Sequence, residues 1–234
     1  MVTVALIGAD GAGKTTVART LAASREIPIK YLYMGVNAAA SNHMLPTTRA
    51  VRALRRALGR ANDQGGPPDP ERERRRPRTG ARGFVSGAKS GLVLANRLCE
   101  ECYRAALAWY FERRGFVVLF DRHFYADYLA HDVARAREEL SFARRIHGKL
   151  LARLPRPDCV IVLDAPASVL HARKPEGTPE LLERRRREYL ELCSELESYA
   201  VVDASQAQGE VVREVLGIIQ GLRARDARRP EGAR

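Results

Sequence analysis

Short apolar runs alternate with segments of helical periodicity along the chain. Between the runs, apolar residues recur every three or four positions, which is the spacing of one helix face. Uninterrupted apolar strands that alternate with helices are typical of a parallel sheet covered on both faces. The pattern therefore predicts an α/β fold with a five-stranded parallel sheet. The predicted strands lie in TVALIG (3–8), IPIKYLYMG (27–35), GFVVLFD (115–121), PDCVIVLD (157–164) and SYAVVDAS (198–205).

Two segments depart from this pattern. Residues 60–83 combine Pro, Gly and mixed charge with almost no apolar residues, so we predict a disordered, Arg-rich loop insertion there. Residues 223–234 are predicted to form a basic tail. The chain from 1 to 222 is predicted to be a single domain that carries the insertion. Its predicted helices cover 14–24, 45–60, 86–114 and 125–153, with further helices between and after the last two strands.

The segment GADGAGKT, residues 8–15, fits the Walker A pattern G-x-x-x-x-G-K-[ST] between the first strand and the first helix. Glycines let successive backbone N–H groups face a phosphate, and the helix N-terminus adds its positive end. The lysine of such a loop reaches the β- and γ-phosphates, and its hydroxyl residue binds Mg²⁺. We therefore predict a catalytic Lys14 and a metal ligand in Thr15. The predicted ATP or GTP site comprises Gly8, Asp10, Gly11, Ala12, Gly13, Lys14, Thr15 and Thr16.

An Asp-Arg pair follows the third apolar run. Asp121 and Arg122 fall at the carboxyl end of a predicted parallel strand, which is the edge where open α/β sheets bind ligands. Asp121 is predicted to hold Mg²⁺ through water, and Arg122 to hold a phosphate by a bidentate contact. Both are candidate catalytic residues. The alternative is an N-capping aspartate beside a surface arginine.

Composition limits the partners. The formal net charge of +12 favours anionic ligands, whether nucleotides, nucleic acid or a membrane surface contacted by the helix around Arg49–Arg60.

No apolar run of about 20 residues occurs, so we expect no membrane span. The apolar residues at the start of the sequence run directly into the phosphate-binding segment. They are therefore predicted to form a core strand rather than a signal peptide. The Cys99 and Cys102 pair lies within a helical pattern, and the four cysteines indicate a reduced, cytoplasmic protein.

Four stretches resemble the thymidylate kinase-like family of P-loop nucleoside monophosphate kinases. They are GADGAGKTT (8–16), DRH (121–123), PDCVIVLDAP (157–166) with LERRRREYLEL (182–192), and VVDASQAQGEVVREV (201–215). The resemblance implies the P-loop NTPase three-layer sandwich with a short lid, ATP and Mg²⁺ as cofactors, and a homodimer.

The resemblance also implies roles for single residues. Asp10 would contact the sugar 3′-hydroxyl of the acceptor, and Arg97 and Arg122 would hold the acceptor's phosphate. Gly11 stands where one branch of the family has a catalytic arginine. A lid cation would then supply that charge, and Arg173 and Lys174 are the candidates, although both also fit ordinary solvated charge.

Elsewhere the chain departs from the family's motifs, or its charged and polar residues have a simpler explanation than a role in a site. The segment YLYMGVNAAASNHML (31–45) replaces the family's acceptor-side motif, and Val93 stands near the place of its stacking phenylalanine. We expect residues 34–44 to line the acceptor pocket, or else to form turns and helix caps. Arg184–Arg187 are consecutive on a predicted helix, so they cannot all serve one site. A Glu183–Arg187 pair predicts a solvated face for most of them.

These observations predict an ATP-dependent phosphotransferase whose partner is a small-molecule phosphate acceptor, with dTMP as the first candidate. A kinase for another small acceptor, such as a sugar or glycan component, is the alternative. A nucleic-acid-associated NTP-binding protein is the alternative from another class. It requires salt-sensitive DNA or RNA binding, and because the arginines are scattered over many elements we expect no nucleic-acid partner.

Overall fold

The computed structural model describes residues 2–34, 43–57, 83–123, 155–175 and 177–228. In chain order, the strands are β1 (Thr3–Ile7), β2 (Ile29–Tyr33), β3 (Val117–Asp121), β4 (Cys159–Asp164) and β5 (Tyr199–Asp203). The helices are α1 (Lys14–Ala23), α2 (Pro46–Ala57), α3 (Gly83–Arg113), α4 (Ala167–Arg173), α5 (Pro179–Leu192) and α6 (Gln208–Ala227), with a 3₁₀ turn at Cys193–Glu195.

The five strands form one parallel sheet in the order β2-β3-β1-β4-β5. β1 lies in the centre, and Leu6 is in register with Asp121 on β3 and with Ile161 on β4. Because all strands run the same way, the segments that follow β1, β3, β4 and β5 meet at one edge. This edge is called the carboxyl edge below.

Helices cover both faces of the sheet. Successive residues of β1 point to opposite faces, so Val4 and Leu6 pack in one apolar cluster while Ala5 and Ile7 pack in another. The first cluster includes residues of α1 and α6, and the second includes residues of α3 and α5. The described residues therefore form three layers, with the sheet between two layers of helices. This confirms the predicted α/β class and the five-stranded parallel sheet.

Several predicted boundaries differ from the observed ones. α3 begins at Gly83, three residues before the predicted start, and α6 continues to Ala227, past the predicted start of the basic tail at 223. Cys99 and Cys102 lie on α3 as expected, and both are exposed. The predicted disordered segment before residue 83, the predicted helix 125–153 and the predicted pocket residues 35–42 lie outside the described residues.

Within the described ranges, no helix is both long and apolar enough to cross a bilayer.

Candidate active site at the carboxyl edge

Residues 8–15, called the phosphate loop below, join β1 to α1 at the carboxyl edge. Gly8, Gly11 and Gly13 have φ angles of 140°, 91° and 83°, a region that favours glycine. Gly8 and Gly11 also lie against the backbone of other segments. A Cβ on Gly8 would lie 2.3 Å from the carbonyl oxygen of Leu163, and one on Gly11 would lie 2.4 Å from that of Leu170. The loop is therefore pressed against the end of β4 and against α4, and this packing excludes side chains at these two glycines.

The contact at Gly11 predicts a stability difference between two alanine variants. Gly13→Ala is expected to lower the free energy of unfolding by about 1–2 kcal/mol, since its φ is positive. Among the described residues other than its chain neighbours, none has a heavy atom within 4 Å of the new Cβ. Gly11→Ala is expected to cost about 1–3 kcal/mol more, because its Cβ overlaps the Leu170 carbonyl group. Urea unfolding of both variants without nucleotide measures the difference. Equal costs would contradict this packing.

Lys14 is the first residue of α1, and its side chain turns back into the phosphate loop. Its Nζ donates hydrogen bonds of 2.8 Å to the carbonyl oxygens of both Gly8 and Ala9, and the residue is buried. The ammonium group is thus held at the concave side of the loop. A phosphate bound there would compete with these two carbonyl groups for the ammonium group.

Asp121 ends β3 beside the phosphate loop, and one of its oxygens accepts two hydrogen bonds. Oδ2 accepts from the hydroxyl of Thr15 at 2.6 Å and from that of Tyr31 at 3.0 Å. Burial, followed by the charge and hydrogen bond of Asp121, raises the pKa of Tyr31 above its ordinary value. The phenol of Tyr31 therefore stays protonated at neutral pH and remains a donor to Asp121.

The other oxygen of Asp121 suits a metal ion. Asp121 is 1% exposed, and within the described part of the chain its Oδ1 is buried without a hydrogen-bond partner. Leaving such an atom unpaired costs free energy, which an ion or its bound water would offset. The described residues contain no group of three or more His, Cys, Asp or Glu side chains suited to a metal. Mg²⁺ fits, because it is commonly held by one or two protein ligands together with water and substrate phosphates.

Arg122 follows Asp121 in a backbone conformation that is uncommon for arginine. Its φ is 64°, and its N–H donates to the carbonyl oxygen of Leu6 at 3.0 Å. Non-glycine residues with such angles cost free energy and are concentrated at functional sites. This conformation lets the Arg122 side chain reach the phosphate loop, where Nη2 donates to Oδ1 of Asp10 at 2.6 Å.

Asp10 accepts a second guanidinium on its other oxygen. Nη1 of Arg185, from α5, lies 2.7 Å from Oδ2 of Asp10. Burial opposes ionisation of Asp10, but the attraction of Arg122, Lys14 and Arg185 outweighs burial and lowers the pKa of Asp10 below its ordinary value. Asp10 is therefore an anion at neutral pH. Both of its oxygens accept from arginine here, whereas the family resemblance implies a contact with a sugar hydroxyl.

The four consecutive arginines of α5 divide into two pairs. Arg184 and Arg187 are 58% and 69% exposed and face acidic neighbours on the same helix, including the predicted Glu183–Arg187 pair. Arg185 and Arg186 are 19% and 29% exposed and face the carboxyl edge. The solvated face predicted for this segment therefore applies to Arg184 and Arg187, and does not apply to the two residues between them.

The remaining predicted site residues lie in different places. Arg173 ends α4 and donates to the carbonyl oxygens of Ala204 at 2.6 Å and Ser205 at 3.4 Å, in the loop after β5. Lys174 follows it and is exposed. Arg97 lies within α3, and its side chain is outside the described part of the chain. The structure therefore brings Asp10, Lys14, Thr15, Asp121 and Arg122 together, while Arg173 contacts the loop that follows β5.

Sequence reasoning missed Arg185 as a member of the site and did not pair Tyr31 with Asp121. The sequence did offer a partial signal for Arg185, because consecutive helical residues point about 100° apart and four arginines cannot all face solvent equally. For Tyr31 the only signal was its place on a strand beside β3. Neither signal identifies the partner of the side chain.

The residue after Arg122 predicts a pH dependence of stability. His123 is fully buried against Phe120, and burial lowers its pKa to about 3. Between pH 6.5 and 3 the unfolded chain binds a proton at His123 that the folded chain does not, so stability rises with pH through this window. We expect a loss of about 2 kcal/mol from pH 6.5 to pH 5. Urea unfolding at several pH values measures it, and His123→Gln should show a smaller slope.

The sequence was also compared with models of known protein families, and no family model matches it.

Proposed function

We propose that the chain is an ATP-dependent, Mg²⁺-requiring phosphotransferase with a P-loop NTPase sandwich and a short lid between α4 and α5. In this proposal the γ-phosphate of ATP is transferred to a small-molecule acceptor, and dTMP is the first acceptor to test. The observation that carries the proposal is the 2.6 Å hydrogen bond between Thr15 and Asp121. It joins the hydroxyl position of a Walker A loop to a buried carboxylate on the neighbouring strand, which is the pair of ligands that Mg²⁺–ATP requires.

Each residue of the site has a part in this reaction. The backbone N–H groups of the phosphate loop bind the phosphates, and Lys14 exchanges its bonds to Gly8 and Ala9 for phosphate oxygens. Thr15 and Asp121 hold the metal. When bound there, Mg²⁺ supplies positive charge to the phosphate oxygens. Phosphoryl transfer needs little covalent help from a protein, so positioning and positive charge are sufficient for catalysis.

Arg122 supports an anionic acceptor such as a nucleoside monophosphate. Its guanidinium lies at the carboxyl edge next to the phosphate loop and already binds a carboxylate there. A planar guanidinium binds phosphate by the same bidentate geometry. An ionised acceptor phosphate also needs no general base, whereas a sugar hydroxyl does.

The proposal is tested by incubating the purified chain with Mg²⁺–ATP and a panel of nucleoside monophosphates and sugars. ADP formation is measured, and products are identified by mass spectrometry. We expect dTMP to be converted to dTDP. Phosphorylation of a sugar hydroxyl with no conversion of dTMP would overturn the proposed acceptor, and absence of both ATP binding and turnover would overturn the phosphotransferase itself.

A further inference from the structure

We propose that Arg185 is a catalytic residue that binds the transferring phosphoryl group and stabilises its developing negative charge. The inference rests on the phosphotransferase function proposed above and deepens it by naming a cation from α5. It is carried by the contact between Arg185 and the phosphate loop, and by the way in which α5 is anchored beside that loop.

Arg186 anchors α5 at the carboxyl edge. Its guanidinium makes a bidentate contact with Asp164, the last residue of β4, through Nε at 2.7 Å and Nη2 at 2.9 Å. Two parallel bonds of this kind restrain both position and orientation. The residue before Asp164 is Leu163, whose carbonyl group packs against Gly8. Arg186 therefore holds α5 in a defined place relative to the phosphate loop.

The contact between Arg186 and Asp164 orients α5 so that Arg185 faces the phosphate loop. It precedes Arg186 by one position, which is about 100° around the helix. Its Nη1 reaches Oδ2 of Asp10 at 2.7 Å, although the two residues are 175 positions apart in the chain. Asp10 lies inside the phosphate loop, so the guanidinium of Arg185 lies at the rim of the space in which the loop would hold phosphates.

The charges around Asp10 are suited to an additional anion. Arg122, Lys14 and Arg185 all stabilise the ionised form of this one carboxylate. Within this group the positive charges outnumber the negative charge by two. Three preorganised cations around a partly buried point are the arrangement that stabilises charge developing on a phosphoryl group.

In the proposed step, Arg185 transfers its N–H contact from Asp10 to the phosphoryl oxygens. The bond between the γ-phosphorus and the bridging oxygen breaks, and its electron pair stays with ADP. An oxygen of the ionised acceptor phosphate forms the new bond to phosphorus, so no proton has to be moved.

The test compares Arg185→Gln with Arg187→Gln, a matched variant on the exposed face of the same helix. For each variant we would measure kcat with the best acceptor, the Kd of Mg²⁺–ATP and the melting temperature. We expect kcat of Arg185→Gln to fall at least about 100-fold, with its ATP Kd within about threefold of wild type. Arg187→Gln should match the wild type, and Arg185→Lys should recover part of the rate.

A role for Arg185 as a mere counter-ion of Asp10 gives a different result. In that case Arg185→Gln would lower the melting temperature with little change in kcat, or the double variant Asp10→Asn/Arg185→Gln would regain the rate. Either outcome overturns the proposal. A double variant that stays as slow as Arg185→Gln supports it.

The failure of this inference is distinguishable from failure of the proposed function. If the wild type binds Mg²⁺–ATP but no acceptor in the panel is phosphorylated, the slow transfer to water serves as the reaction, and the same fall in rate is expected for Arg185→Gln. A wild type that transfers phosphate to neither acceptor nor water overturns the phosphotransferase function, and the role of Arg185 with it.

Discussion

Replacing Lys14 with methionine is expected to lower the rate of phosphoryl transfer by about 10³–10⁵-fold, the range found for removal of one cation from a transferring phosphoryl group. Lys14 is buried in the phosphate loop and bonds to two carbonyl groups of that loop. In the bound state its ammonium group would neutralise phosphate oxygens from a buried position, where charges interact more strongly than in bulk solution. Methionine keeps most of the length of the side chain, but it removes the charge and both hydrogen bonds to the loop.

The rate is measured as ADP formation at saturating ATP and acceptor, alongside ATP binding and the melting temperature. Lys30→Met is the matched control, because Lys30 lies near the amino end of β2 and its ammonium group sits over the ring of Phe116 at 4.8 Å. This control should retain the wild-type rate. A Lys14→Met protein that transfers phosphate at a similar rate would show that the phosphate loop is not the site of the reaction.

Asp121→Asn is expected to lower the rate by about 10³-fold, since a correctly held metal ion contributes several kcal/mol to phosphoryl transfer. The amide still accepts hydrogen bonds from Thr15 and Tyr31, so local packing is largely kept. It carries no negative charge, so it binds Mg²⁺ weakly. We therefore also expect the rise in melting temperature on adding Mg²⁺–ATP to be much smaller in the variant than in the wild type.

Two further variants test whether the effect of Asp121→Asn comes from the loss of Mg²⁺ binding. Asp158→Asn changes a carboxylate at the amino end of β4, where it accepts from the backbone and side chain of Thr3, and it should affect stability without affecting Mg²⁺ dependence. Tyr31→Phe removes one donor to Asp121 and should cost about tenfold in rate, in line with one hydrogen bond to a charged group. If Asp121→Asn keeps both its rate and its response to Mg²⁺, Asp121 is not the metal ligand.

Much of the candidate site could be predicted because its residues directly follow strands that the sequence pattern predicts. The phosphate loop is a continuous motif between β1 and α1, so its position can be recognised without knowledge of any distant contact. Asp121 and Arg122 could be placed because they end an apolar run, and parallel strands bring their carboxyl ends to one edge. Similar reasoning could not assign a partner to Arg173, since several segments end at the same edge.

By itself, the sequence determined the five strands of the sheet, the α/β class and the position of the glycine-rich loop between β1 and α1. These features follow from local patterns, namely apolar runs, helical periodicity and the spacing of glycines and lysine. Only the tertiary structure decided that Arg185 and Arg186 face the carboxyl edge while Arg184 and Arg187 face solvent. The rotation of α5 about its axis depends on how all its apolar residues pack against the sheet. Likewise, Asp10 and Arg185 meet through chain folding, and no local pattern encodes a contact between positions so far apart.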